Sequence, residues 1–329
     1  MYLASSLLEN GFDVKIIDAN SLTHEKEEII SILKKYSPDL VGFNLCSELL
    51  KSVFDLTYLI KKELVNCKIV LGGPHASAMP LFTLQEFKYA DFLLVGECDY
   101  TIVDLCKAIQ KNKNFSIVKG IYYRINKTIK YNKHYPVIKE LDRLPSPSRN
   151  LLKEAYDKKL YYSIMINKQI GLLVTSRGCP SNCFFCSRLC NKYRTFSIER
   201  IINEINCIYS SGINYIEIFD DNFNIDFKKA ERLFVQIKKE KIDISFRIKT
   251  KVNTVNKRVL ELGKSAGLYA ISYGMESGVQ KILDNMNKGT TVQMNKKACM
   301  ITKELGIKCY TNWLLGYPGE TRKTIRQTI

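Results

Sequence analysis

The sequence predicts two α/β units in series. Residues 1–115 read as a doubly wound, Rossmann-like sheet, and from residue 161 a run of βα repeats reads as a partial (β/α)6 barrel lacking its last strand. Three observations lead there. Short apolar stretches of strand length alternate with stretches whose apolar residues recur at helical spacing. A segment with two prolines spaced by serine, KELDRLPSPSRNLL, interrupts the alternation and has the composition of a linker. Finally, 329 residues exceed what one layered sheet holds.

Taken in order, Met1–Asn10 is an amphipathic helix stopped at Gly11, and VKIID (Val14–Asp18) is the first strand. The helical stretch HEKEEIISILKKYS ends before Pro38, which cannot continue it. Strand LVGFNLC (Val41–Cys46 at its core) follows. Then comes a helix with apolar residues at Leu50, Val53, Phe54, Ile60 and Leu64, and then strand KIVLGG. Strand FLLVGE and helix YTIVDLCKAIQKN close the unit. Residues 116–160 hold a hairpin, GIYYRI and TIKYN turning at Asn126–Lys127, and the linker. The barrel strands over 161–329 are GLLVT (Gly171–Thr175), INYIEIF (Ile213–Phe219), ISFRIK (Ile244–Lys249), LYAISY (Leu268–Tyr273) and KCYTNWLL (Lys308–Leu315). A doubly wound sheet ordinarily opens on a central strand, whereas this chain opens on a helix. The opening strand and the sixth barrel strand are therefore expected to be missing, which would leave the chain less stable than a longer parent and put its activity at risk.

Composition excludes several classes. No apolar run reaches the length of a membrane helix, and MYLASSLLENG lacks the basic start of a signal peptide, so a cytoplasmic protein is expected. The formal charge of +17 comes from lysines scattered among acids, which reads as solvated basic faces rather than a nucleic-acid surface. Eleven cysteines, an odd number in a reducing compartment, point to metal or redox chemistry rather than disulfides.

Four of those cysteines, Cys179, Cys183, Cys186 and Cys190, lie in SRGCPSNCFFCSRLC, directly after strand GLLVT and so at the barrel end where chemistry occurs. Zinc would need paired ligands or histidines, and His24, His75 and His134 are remote in sequence. Bystander thiols would not account for three cysteines in the eight residues 179–186, the first with Gly178 before it and Pro180 after it. Soft thiolates on a short loop suit an iron–sulfur cubane. With four ligands it would be a closed electron carrier; with three, one iron would stay open.

C-x3-C-x2-C, with Phe185 before the last cysteine and a strand before the first, resembles the radical S-adenosylmethionine (SAM) superfamily. FDDNF (Phe219–Phe223), GMESG (Gly274–Gly278) and GYPGET (Gly316–Thr321) resemble its later strand ends. YLASSLLENGFDVKIIDAN, LVGFNLC, VLGGPHAS, LLVGE and ELDRLPSP resemble the subfamily with an N-terminal cobalamin (B12)-binding domain. The resemblance implies a [4Fe–4S] cluster on Cys179, Cys183 and Cys186, with SAM on the open iron and Cys190 a bystander. It implies that Asp220 or Asp221 accepts from the SAM ammonium while the other caps the next helix, with Asp221 favoured for SAM. Glu276 and Ser277 would meet the ribose hydroxyls. Lys251 stands where relatives place an arginine for the SAM carboxylate, although lysine lacks the bidentate fork. Arg247, Lys249 and Lys251 alternate and so face one side of a strand. Gly316, at the start of the turn Gly316-Tyr317-Pro318-Gly319, would admit the adenine or methionine part of SAM. Gly72, Gly73, Gly96 and Glu97 end adjacent strands, where a doubly wound sheet leaves its crevice, and are assigned to cobalamin. D-x-H-x-x-G is absent, so His75 is expected to stay off cobalt.

The expected function is that of a cobalamin-dependent radical SAM enzyme transferring a methyl group to an unactivated carbon. It would act on a small molecule with a one-electron reductant such as flavodoxin or ferredoxin. Alternatives are a radical SAM cyclase or rearrangement enzyme, a methylthiotransferase with a further cluster, and a non-catalytic iron–sulfur protein in which Cys190 closes the cubane. No side chain is assigned a catalytic role of its own.

Overall fold

A computed structural model describes the chain except residues 20, 127, 134–136, 165 and 188–189, so the hairpin residue Lys127 and His134 lie outside the described residues. The chain divides into two compact units, Met1–Lys139 with Arg143–Leu160, and Glu140–Asp142 with Tyr161–Ile329. Among the described residues no helix is long and apolar enough to cross a membrane.

In the first unit helix α1 (Tyr2–Glu9) ends as Gly11 takes φ +79°, as its sequence predicts. Helix α2 (Lys26–Tyr36) carries Glu27 and Glu28 in its first turn and Lys34 and Lys35 in its last, matching the helix dipole, and buries Ile29, Ile30 and Leu33. Strand β1 (Leu40–Asn44), helix α3 (Leu50–Glu63) and strand β2 (Lys68–Gly72) follow. Two short helices absent from the sequence reading come next, α4 (Pro74–Ala78) and α5 (Pro80–Glu86), each opening on proline, whose fixed φ suits a first turn. Strand β3 (Phe92–Leu94) is wholly buried and leads to α6 (Thr101–Gln110). The hairpin β4 (Ile121–Ile125) and β5 (Thr128–Tyr131) adds antiparallel strands to β3, with Tyr122 and Tyr131 stacked 4.5 Å apart. The sheet order is β1-β2-β3-β4-β5, its first three strands parallel.

One expected strand does not form. Val14–Asp18 is irregular, and β1 is the sheet edge. Alternation supplies a face but not a ladder, and a strand needs a bonded neighbour. The segment instead lays Ile17 and Ala19 on the α2–α3 core, and Asp18 turns the chain by accepting from Ser21 N (3.1 Å).

The second unit alternates β6 (Gly171–Leu173), α7 (Ile198–Ser210), β7 (Tyr215–Ile218), α8 (Phe227–Lys239), β8 (Ser245–Thr250), α9 (Lys257–Ser265) and β9 (Leu268–Glu276). It continues with α10 (Gln280–Asn285), α11 (Val292–Glu304), β10 (Lys308–Trp313) and α12 (Arg322–Thr328). The strands form one parallel sheet in sequential order, β10-β9-β8-β7-β6, as a barrel wall requires. Ser197, Asp226, Asn256, Thr291 and Thr321 cap α7, α8, α9, α11 and α12, each side chain accepting from the backbone N–H three residues on. One sheet face packs on these helices: Phe246 stacks on Phe234 (5.6 Å), and Tyr273 bonds Thr302 (2.8 Å). The alternate residues Arg247 and Lys249 point the other way, half-buried.

Candidate functional site

Strand β6 is shorter than GLLVT. The chain leaves the sheet after Leu173, and Ser176–Arg177 pairs antiparallel with Arg194–Thr195, closing the cysteine loop at its neck. At the top of the neck Gly178 takes φ +85°, and a Cβ there would lie 2.2 Å from the Lys192 carbonyl oxygen, so only glycine fits. Cys179 N donates to the Cys190 carbonyl (3.1 Å), and Cys186 N to the Cys183 carbonyl (3.2 Å). The loop's far side hangs on the segment after α10: Phe184 N donates to the Met286 carbonyl (2.9 Å) and Asn287 Nδ2 to the Asn182 carbonyl (2.8 Å). Lys251 Nζ ties the two together, donating to Ser181 Oγ (3.1 Å) and the Lys288 carbonyl (2.6 Å).

None of the eleven cysteines is in a disulfide. Cys183 is 7% exposed, Cys179 half-buried and Cys186 exposed. Among the described residues no three His, Cys, Asp or Glu side chains are gathered closely enough to hold a metal ion. The donor set nonetheless fits a cubane: three soft thiols sit on one tethered loop, and sites of this kind close on their metal as it binds. Burial pushes the Lys251 ammonium down while Cys183 and Cys179 hold it up, so a cation stands beside two of the thiols. Cys190 differs from the other three. Its sulfur accepts from Lys192 N (3.3 Å), while its carbonyl positions Cys179.

The acidic pair after β7 separates into unlike roles. Asp220 is buried and accepts four hydrogen bonds, from Thr175 N (2.7 Å), Thr175 Oγ1 (2.6 Å), Ser176 N (3.1 Å) and Ser176 Oγ (2.6 Å). Burial works to push its carboxyl up, against these bonds and the Lys229 ammonium. Lys229, buried and bonded to the Thr175 carbonyl (2.8 Å), is pushed down to about 8 by burial, with Asp220 and Asp226 opposing. Asp220 therefore clamps the chain as it leaves β6 and has no acceptor left to offer SAM. Asp221 is exposed and accepts from Gly178 N (3.1 Å). Neither residue caps the following helix, as one was expected to; Asp226 does, because the chain first makes a short turn through Phe223–Ile225.

At the end of β9, Glu276 is buried with φ +64° and ion-paired to Lys288 (2.6 Å). Lys288 is a site residue that sequence reasoning missed. It sits 5.4 Å from the Phe185 ring centroid, linking the Glu276 strand end to the cysteine loop. Its only sequence signal is a lysine beside the Gly289 turn that follows an apolar helix. Ser277 does not offer its hydroxyl as expected. It is fully buried, accepts from Val279 N (3.1 Å) and lies 3.2 Å from Thr328 Oγ1, in the turn that leads from the strand end toward the next helix. Gly316 N is likewise engaged, donating to Glu320 Oε2 (2.6 Å) along with Tyr317 N (3.1 Å), so GYPGE is a turn closed on its own glutamate.

In the first unit Gly72, Gly73, Gly96 and Glu97 do stand at neighbouring strand ends, after β2 and β3. Gly73 takes φ +96°, and a Cβ on it would lie 2.3 Å from Asn44 Oδ1 and 2.9 Å from Leu45 N. Gly96 N donates to Ser77 Oγ (3.0 Å), with open space where a side chain would begin, and Glu97 is partly exposed. His75 Nδ1 lies 2.9 Å from Ser47 Oγ, which ties the ring to a neighbouring loop.

Two family models match the chain, the B12 binding domain over residues 1–106 and the radical SAM superfamily over residues 173–329. A protein of Pyrococcus horikoshii described as an uncharacterized methyltransferase is 33% identical over 332 residues, spanning 100% of this chain and 71% of that one. The chain belongs to the radical SAM superfamily, among the members with a B12-binding domain. Anaerobic magnesium-protoporphyrin IX monomethyl ester cyclase of Rubrivivax gelatinosus is 28% identical over 99% of this chain and 60% of its own length, so the chain is the shorter of the two. The fold matches the radical SAM methyltransferase TsrM of Kitasatospora setae (TM-score 0.83, 18% identity, 99% of this chain and 66% of that one). It also matches the cobalamin-dependent radical SAM enzyme OxsB (TM-score 0.84, 23% identity, 99% and 48%).

Proposed function

We propose that this radical SAM chain acts in cobalamin-dependent transfer of a methyl group to an unactivated carbon of a small molecule. The observation that carries the reading is the cysteine loop. Three thiols share one tethered turn after β6, and the sulfur of the fourth is engaged within its own turn. The methyltransferase description of the Pyrococcus relative supports it. Cys179, Cys183 and Cys186 would hold a [4Fe–4S] cluster, which would supply the electron for reductive cleavage of SAM, and cobalamin would supply the methyl carrier.

The chain's own residues set the stage for this chemistry. Lys251 braces the loop and stands beside two of its thiols. Asp221, exposed beside Gly178, is the acceptor we assign to the SAM ammonium, and Asp220 clamps the neighbouring chain as it leaves β6. Glu276 is assigned to the ribose hydroxyls, aimed by its ion pair with Lys288. Gly72, Gly73, Gly96 and Glu97 are assigned to cobalamin, with His75 held off cobalt by Ser47. A one-electron reductant of the flavodoxin or ferredoxin kind and a reducing cytoplasm complete the reading.

The cyclase relative supports a second reading, ring closure with the same cofactors. A further cluster of the methylthiotransferase kind is not favoured: Cys46, Cys67, Cys98 and Cys106 are spread over separate elements, and burial pushes the Cys67 and Cys106 thiols up to about 11. Methyl-labelled SAM given anaerobically to the reconstituted chain with reduced cobalamin decides between the first two. Methyl transfer predicts S-adenosylhomocysteine and labelled methylcobalamin in equal amounts. Formation of 5′-deoxyadenosine alone would select ring closure.

A further inference from the structure

We infer that the helix-free face of the second sheet is a substrate floor anchored by Lys249, and that it takes a small molecule carrying an oxyanion, a carboxylate or a phosphate, on a flat apolar body. The inference rests on the enzymatic reading above and deepens it to a substrate class.

The strand registers lay the floor out in rows. Glu217 pairs with Arg247 across β7 and β8; Lys249 pairs with Ser272, and Ser272 with Tyr310, across β8, β9 and β10. In the lower row the Glu217 carboxylate is ion-paired to the Arg247 guanidinium, which also lies 5.9 Å from the Tyr310 ring centroid. That row's one carboxylate is therefore spent. Tyr215 and Tyr269 meet edge to face beside it (5.9 Å).

In the next row the Lys249 ammonium stands 4.2 Å above the ring of Phe219, which is 48% exposed. Among the described residues no carboxylate lies within ion-pair distance of Lys249. Burial pushes its ammonium down and Arg247 adds to that, with Glu217 alone opposing. Two cations against one carboxylate leave this floor short of negative charge, and burying such an ammonium is costly until an anion reaches it. A half-buried cation seated on an aromatic face is also a geometry that accepts a flat ligand alongside.

The position suits a substrate. Lys249 is two residues, about 7 Å of strand, before Lys251. Lys251 in turn holds Ser181 of the cysteine loop, so an anion on Lys249 leaves the body of its molecule one pleat from that loop.

The test is calorimetric titration of the full reconstituted chain with 1-naphthoate, 1-naphthyl phosphate and the neutral 1-naphthalenemethanol. The wild type is expected to bind the better of the two anions about tenfold or more tightly than the alcohol, the worth of one charge-assisted contact. The tighter anion identifies the oxyanion. Lys249→Met should abolish that preference while leaving alcohol affinity unchanged, which also shows the floor intact, and Lys249→Arg should restore it. If alcohol binding is lost in Lys249→Met, Lys249→Arg decides: preference kept supports the inference, and preference lost overturns it. Equal binding of anion and alcohol by the wild type, an unchanged preference in Lys249→Met, or displacement of naphthoate by saturating SAM would each overturn it. No turnover is needed, so a failure of methyl transfer and a failure here are read separately.

Discussion

The carboxyl ends of the two sheets are built by opposite means. After β2 and β3 the first unit ends its strands on glycines, leaving room and little charge: Gly73 lies against the Leu45 backbone, and nothing stands where a Gly96 side chain would begin. After β7 and β9 the second unit ends its strands on acidic side chains facing lysines, Asp220 near Lys229 and Glu276 against Lys288, the latter two buried in one ion pair. The first edge suits a ligand that is large and needs space. The second suits one that is small and charged, and it orders a reactive loop beside it. Two edges of similar topology thus become two kinds of site through residue chemistry alone.

Substitutions can pull the two edges apart. The largest effect is expected at Cys183: Cys183→Ala should take reconstituted iron from about four per chain to near none, whereas Cys190→Ala should keep it, and cobalamin retention should be unaffected by either. Lys229→Met leaves the Asp220 carboxylate buried without its cation and should destabilise the second unit by about 3 kcal/mol, read from denaturant midpoints. Its pH dependence has a definite sign. The folded-state value of Lys229, about 8, lies below the ordinary 10.5. The unfolded chain therefore binds more protons between those values, and the stability of the wild type relative to Lys229→Met should rise as pH climbs through that window.

A smaller change is expected at the glycine edge. Gly73→Ala meets a positive φ and a close backbone, should cost about 2 kcal/mol, and should release cobalamin without changing the iron content. Smallest is Glu320→Ala, which leaves Gly316 N and Tyr317 N without their acceptor and should cost about 1 kcal/mol. It should not alter SAM affinity, since that turn closes on itself.

Much of this was legible in the sequence because it is local. The βα alternation shows as apolar period, and the stop of the first helix is announced by Gly11, which takes the positive φ its residue type suits. What stayed hidden depends on distance. VKIID alternates like a strand but finds no ladder. PHASA and PLFTLQE are too short to show a helical period. Asp220 and Asp221 are adjacent and alike, and only the folded chain shows that Thr175 and Ser176 consume one of them. Lys288 lies twelve residues beyond Glu276, on the far side of a helix, so no spacing pairs them.

The central claim is that the cysteine loop leaves one iron open to SAM. Electron paramagnetic resonance of the anaerobically reconstituted and reduced chain, recorded without and then with SAM, tests it most directly. A reduced [4Fe–4S] signal whose g-values shift when SAM is added is the predicted result. A signal unchanged by SAM, together with loss of the cluster in Cys190→Ala, would contradict the account and make the loop a closed, four-cysteine site.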